Sequence, residues 1–238
     1  VNVRNSSMAK EADYIMPILA GPEIGVASTK AFTAQLACLY ALCLGFAHTN
    51  QLLNGVKLGE RIHELRAMPM IMQTALKELE EPVTRLAERY HKYDHMIFLG
   101  RGTSYPLALE GALKLKEISY IHADAYPAGE LKHGPIALLD PGMPVLILAP
   151  SDCLFGKTLS NLREVAARGA PIILVSDREG IDTARDYITD SIELPAIKPR
   201  LSPVLLSLPL QLLAYHVARL RGTDIDQPRN LAKSVTVE

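Results

Sequence analysis

The residues able to do chemistry in this sequence are a lysine near its end, a charged trio on one helix and a histidine in a loop. Lys233 stands in DQPRNLAKSVTVE, residues 226–238, between Ala232 and Ser234. Leu231, Val235 and Val237 are apolar anchors able to hold this segment on a folded body, although a frayed end with one solvated lysine is the ordinary meaning of such a stretch. A lysine held in that way loses solvent, its pKa falls and its amine becomes a nucleophile. Glu110, Lys114 and Glu117, spaced by four and three, share one helical face. Such spacing usually makes an exposed ion-pair ladder. Here Lys116 is out of phase with the trio, and Leu107, Leu113 and Leu115 spread apolar contacts around the helix. The charged face is therefore expected to meet something enclosed, where burial moves carboxylate and ammonium pKa values toward neutrality and fits them for proton transfer.

His133 lies in HADAYPAGELKHGP, residues 122–135, a non-periodic stretch punctuated by glycine and proline that also holds Glu130 and Lys132. It reads as a functional loop in which Gly134 and Pro135 fix the imidazole's direction, or as a surface loop with one hydrogen-bonding histidine. Two turns invite a ligand. FLGRGTS, residues 98–104, runs from strand to glycine-rich turn to helix, which suits either an anion at the helix N-terminus or close helix packing. In GPEIGVASTKAFT, residues 21–33, Ser28 and Thr29 either cap the following helix or help to hold a sugar.

The elements that must position these groups alternate in type. Strands are expected at Met96–Gly100, Val145–Ala149, Ile172–Ser176 and Ser191–Leu194, and helices at Leu107–Tyr120, Leu154–Arg168, Ile181–Tyr187 and about Pro203–Arg221, the last stopped by Gly222. The alternation predicts an α/β fold, a parallel sheet covered by helices on both faces and complete from about Tyr93 to Gly222. The first seventy-odd residues differ. VNV reads as a strand end, Ser6 and Ser7 as a helix N-cap, and a long helix starts near Ser28, followed by a charged connecting helix from about Gly55 to Tyr90. These are expected to be the last part of a first α/β domain. The chain then divides into 1–75, that remnant with its connecting helix, 76–225, a complete domain, and 226–238, the tail.

Composition narrows the partners. With 25 basic and 26 acidic residues, a net charge of −1 and no run of like charges, nothing favours nucleic acid. Apolar residues are 48% of the chain, yet no stretch approaches the ~18 uninterrupted apolar residues of a membrane span. The richest run, Ala31–Ala47, contains Thr33, Gln35 and Tyr40 and reads as a buried helix. No secretory signal opens the sequence. Cys38, Cys43 and Cys153 lack metal-ligand spacing and cannot all pair, so reduced thiols in the cytosol are expected.

Four long segments, GPEIGVASTKAFTAQL, ALEGALKLKEISYIHADAYPAGELKHGP, LQLLAYHVARLRGTDIDQPRN and LAKSVTVE, occur in this order and resemble the isomerase half of the glucosamine-6-phosphate synthase family, the glutamine:fructose-6-phosphate amidotransferases. The resemblance runs end to end. It implies sugar-isomerase (SIS) domains of flavodoxin-like αβα architecture, one complete and one represented by its C-terminal part. It also implies a reaction, fructose 6-phosphate plus ammonia to glucosamine 6-phosphate, without metal or cofactor. By similarity, Glu117 is the base that moves a proton between C1 and C2, and Lys114 handles the O1 proton. Lys233 forms a Schiff base with the open-chain sugar, and His133 opens the ring from a neighbouring subunit. Val26, Ser28 and Ala232 line the sugar pocket. A cytoplasmic homodimer or larger homo-oligomer follows, with ammonia delivered by an N-terminal glutaminase domain.

Departures from the family pattern set further expectations. Val1 is not that domain's cysteine nucleophile, so glutamine-dependent synthesis is not expected of this chain alone. The family's serine- and threonine-rich phosphate loops precede residue 1, so the site is expected to be incomplete, with weak or no turnover. The GRGTS turn falls in the second domain, where the family does not bind substrate phosphate. A non-catalytic phosphosugar-binding SIS regulator is disfavoured because Lys114, Glu117, His133 and Lys233 are all present. A related SIS isomerase or deaminase is disfavoured by LAKSVTVE and ELKHGP.

Overall fold

A computed structural model describes residues 1–233. Its centre is a five-stranded, all-parallel sheet in the order β2-β1-β3-β4-β5, with β1 His95–Gly100, β2 His122–Pro127, β3 Val145–Leu148, β4 Ile172–Ser176 and β5 Asp190–Glu193. β1, β3 and β4 are near-continuous aliphatic runs because both faces of a parallel sheet are covered. Alternate residues serve opposite layers. Met96, Phe98, Leu146, Leu148, Ile173 and Val175 face one cluster, which includes residues of α3 Gly55–Tyr90, α4 Ser104–Ser119 and α7 Ser202–Arg221. Ile97, Leu99, Val145, Ile147, Ile172 and Leu174 face the other, with α5 Phe155–Ala166 and α6 Arg178–Ala184. The strand order is that of the flavodoxin-like doubly wound fold, so the expected α/β sandwich is present.

The helices end where local chemistry stops them. Asn54 caps α3 by accepting the Lys57 N–H at 2.9 Å, and Gly222 closes α7 in the left-handed region at φ 70°. α3 crosses residues 75–76 without a break and carries Pro69 and Pro82 in its interior. At its C-terminal end Tyr90 donates to Asp190 of β5 at 2.7 Å, and burial together with that carboxylate pushes the phenol well above its ordinary value.

Three expectations are corrected. Residues 122–135 are not one loop: the edge strand β2 comes first, followed by 3₁₀ turns at Ala128–His133 and Pro135–Leu138. An edge strand has one open flank, which leaves most of its side chains partly exposed and blurs the pattern. VNV forms no strand. The Val1 carbonyl accepts from Ile18 N–H at 3.0 Å, and the Asn2 side chain brackets Ala20 and Gly21. After it, α1 is a single short stretch, Ser7–Glu11, capped by Ser6. The apolar run read as a buried helix is α2, Lys30–Thr49, but only Ala31 and Leu44 are buried while Leu39, Leu42 and Phe46 are exposed, because α2 meets only one side of the molecule through α3 and α7. By length and composition alone α2 and α7 are apolar enough to cross a membrane, and α7 is mostly buried in the protein core.

Candidate active site

The charged trio lies where the N-terminal segment meets the sheet domain. α4 packs on α7, and the loop of residues 22–29 closes over them to leave a cleft of about 350 Å³, within the range of small-ligand sites. Lys114 lines it together with Ala27, Thr29, Gln211, Tyr215 and Asp226. The side chain of Lys114 is only 5% exposed, with Glu110 at 14% and Glu117 at 21%. Lys114 Nζ donates to Glu117 Oε2 at 2.6 Å and stands 3.6 Å from Glu110 Oε1. Burial pushes the Glu110 carboxyl above its ordinary value; Lys114 opposes the rise and the Glu117 charge adds to it. The trio is thus a buried cation shared by two carboxylates, whereas Lys116 points outward to Asp124 at 3.2 Å, as its phase predicts.

Lys233 reaches the rim of this cleft from 210 residues away in sequence. Its Nζ donates to the Glu23 carbonyl at 2.6 Å and the Gly25 carbonyl at 2.7 Å, and lies 3.3 Å from Glu23 Oε2. Its side chain remains 47% exposed. The expectation of a desolvated amine is therefore corrected: polar partners hold it, and reaction with a carbonyl requires it to leave them. Burial raises the Glu23 carboxyl, but hydrogen bonds from the Thr29 and Ala31 N–H groups and from Lys233 outweigh it and hold the group below its ordinary value. Those same backbone bonds, at 2.9 and 3.3 Å, cap α2. Ser28 and Thr29 do not cap it through their side chains.

The tail is fastened by other groups than those expected. Leu231 is exposed, and Val235 and Val237 lie outside the described residues. Pro228 is buried, and Ile225 packs against the core. Thr223 Oγ1 donates to the Ile118 carbonyl at 2.5 Å. Tyr120 ends α4 in the left-handed region at φ 62°; the Arg229 guanidinium sits 4.1 Å above its ring, and the Arg229 N–H donates to the Tyr120 hydroxyl at 2.8 Å. The tail is thereby tied to the helix that carries Lys114 and Glu117. Val26 N–H donates to the Asp226 carbonyl at 2.9 Å, tying the cleft loop to the tail as well. Ala27 and Thr29, rather than Val26, Ser28 or the exposed Ala232, line the cleft among the described residues.

His133 is not brought to this cleft. It is exposed at the end of a 3₁₀ turn whose Ala128 and Leu131 are buried in the opposite helix layer, and its neighbour Lys132 pairs with Glu164 of α5 at 2.9 Å. The GRGTS turn favours packing over anion binding. Gly102, at φ 57°, is covered by Leu154, whose Cδ1 would stand 2.6 Å from an added Cβ. Arg101 donates to Asn161 at 3.3 Å and lies against Gly129, buttressing the loop that carries His133. Sequence reasoning missed Glu23, Asp226 and Gln211. Asp226 and Gln211 act through contacts distant in sequence that have no local signature, and Glu23 joins a helix cap six residues away to a lysine 210 residues away.

Comparison with known proteins agrees with this architecture. The SIS domain profile matches residues 1–45 and 89–221. Over all 238 residues the chain is 54% identical to glutamine--fructose-6-phosphate aminotransferase [isomerizing] of Brucella abortus and equally so to that of Rhizobium meliloti, spanning 39% of the length of each. Its structure is similar to the C-terminal domain of glucosamine-fructose-6-phosphate aminotransferase from Francisella tularensis, with TM-score 0.92 and 48% identity over 95% of this chain and 63% of that one. A glucosamine-6-phosphate deaminase from Thermotoga maritima is more distant, at TM-score 0.71 and 25% identity over 99% of this chain and 65% of that one.

Proposed function

We propose that this chain, which belongs to the SIS-domain family, is the C-terminal part of the isomerase module of an enzyme that makes glucosamine 6-phosphate from fructose 6-phosphate and ammonia. The observation that carries the reading is the buried Lys114, which lines the cleft and is held by the partly buried Glu110 and Glu117, with Lys233 at the cleft's rim. Conversion of a ketose to an aldose-level amino sugar needs an amine that forms an imine at C2, a base that carries a proton between C1 and C2, and a cation beside the oxygen that gains charge. Lys233, Glu117 and Lys114 take those roles. Lys233 leaves its carbonyl partners as it attacks C2, with loss of water, and ammonia later displaces it. The Lys114–Glu117 contact of 2.6 Å aims the carboxylate.

Residues 1–75 then end a first SIS unit, 76–225 make the second and 226–238 close over the sugar. Val26 acts by holding the cleft loop to the tail through its N–H bond to the Asp226 carbonyl, and Ser28 and Ala232 reach the sugar only as loop and tail close over it. The exposed His133, on the far layer from the cleft, acts in the site of a second copy, so the working assembly is a homodimer or larger, and a cytoplasmic location suits its phosphosugar substrate. A glutaminase region outside these residues supplies ammonia. The reading is tested in the full-length enzyme with Glu117→Gln, which keeps shape and removes the base. Conversion is expected to fall at least ~100-fold, the usual size of a lost general base, with sugar-phosphate binding nearly unchanged. Conversion within a few-fold of the parent removes Glu117 from the role.

A further inference from the structure

β1 and β2 begin side by side, and their parallel register sets His95 directly opposite His122. Aligned residues on neighbouring strands project to the same face, and the two imidazoles meet edge to face, joined by a hydrogen bond between Nδ1 atoms 3.3 Å apart, whose proton a metal ion would displace. Two nitrogens at that separation, each about 2.05 Å from a zinc ion, subtend about 107° at the metal, close to the tetrahedral angle. The remote nitrogen of His122, Nε2, lies 3.5 Å from Asp124 Oδ2. A carboxylate there favours the tautomer with its proton on Nε2 and leaves the Nδ1 lone pair for a metal, as in metal-ligating histidines generally. Lys116 holds the same carboxylate at 3.2 Å and fixes its position. Because β2 is the sheet edge, the pair opens on a groove of about 320 Å³ that Tyr126, Leu138 and Met143 also line, with room for coordinated water.

We propose that His95 and His122 form a surface site for one divalent transition-metal ion, with Asp124 orienting His122 and water completing the coordination. Imidazole ligands without thiolate suit Zn(II), Ni(II) and Cu(II) rather than Mg(II) or Ca(II). No cluster of three or more histidine, cysteine, aspartate or glutamate ligands gathers among the described residues. Two protein nitrogens leave most of the coordination sphere to water, so the site is open and exchangeable rather than a closed structural centre. It is separate from the cleft, since neither histidine lines it, and it would tie the first residues of an edge strand to its neighbour.

The test is calorimetric titration of ZnCl₂ into the metal-free, untagged full-length enzyme. One equivalent per chain is expected, with heat of unfolding measured alongside: Zn(II) binds the folded form and raises its melting temperature. His95→Gln and His122→Gln should each weaken binding by at least about tenfold, Asp124→Asn by about tenfold as for other outer-sphere partners, and His63→Gln should change nothing. In the parent enzyme, Zn(II) should also protect His95 and His122 from diethyl pyrocarbonate while leaving His63 reactive, a readout that needs no variant to fold. Absence of saturable binding, undiminished binding in His95→Gln and His122→Gln, or labelling of both histidines unchanged by Zn(II) overturns the site.

Discussion

Replacing Lys114 with methionine removes the one cation from a buried site that holds two carboxylates. The substitution deletes the 2.6 Å bond to Glu117 and the 3.6 Å pair with Glu110, among side chains 5–21% exposed. Breaking a buried pair by removing one partner costs about 3–5 kcal/mol because the other charge stays behind; residual solvent at both carboxylates argues for about 3 kcal/mol at pH 8. For a domain of this size that is a melting-temperature drop of about 6–12 °C. The pH dependence follows from sign. Without Lys114, the Glu110 carboxyl loses the charge that opposes the effect of its burial and binds its proton still more tightly folded than unfolded. Stability then falls as pH rises above the unfolded carboxylate value and through the raised folded one, so the variant's deficit is largest at pH 8 and shrinks toward pH 5. Urea unfolding of parent and variant at the two pH values measures it. A deficit below about 1 kcal/mol that does not change with pH would mean that the trio is a solvated ladder.

Arg229→Ala removes the guanidinium over Tyr120 that fastens the tail to α4. A loss of about 1 kcal/mol should slow imine formation at Lys233 about fivefold in single-turnover trapping, with sugar binding by the parent and variant alike; an unchanged trapping rate denies the clamp that role. Asp177 accepts from the Ser151 N–H and hydroxyl at 2.9 and 2.6 Å and caps α6 through Gly180 N–H at 3.0 Å. Burial raises its carboxyl, but these bonds outweigh burial and hold it below the ordinary aspartate value. Asp177→Ala should cost about 1–2 kcal/mol near neutrality, and the difference should vanish as pH falls through that depressed value; a constant difference down to pH 2 contradicts the assignment.

What the sequence made legible follows from how local each cause is. The connecting helix was readable to its ends, Gly55 and Tyr90, because its charged character is local; the Asn54 cap that starts it is seen in the structure. The aliphatic strands β1, β3 and β4 were readable because doubly covered strands are uniformly apolar. β2 was missed since His122, Asp124 and Pro127 suit an edge strand and disguise it as a loop. The shared face of Glu110, Lys114 and Glu117 was legible from helical period, but its burial depends on α7 and on the loop of residues 22–29, which no window of sequence reveals. Glu23 illustrates the limit. It caps α2 from outside the helix and holds a lysine 210 residues away, and neither act leaves a pattern around position 23.

The proposed function stands on Lys233 as the amine that captures the sugar at the cleft lined by Lys114. Borohydride reduction of the full-length enzyme in the presence of fructose 6-phosphate, followed by peptide mass mapping, addresses it directly. One reduced hexose phosphate adduct is expected on Lys233, absent from Lys233→Arg and still formed by Glu117→Gln. An adduct on a different lysine, or the same adduct yield in Lys233→Arg, contradicts it.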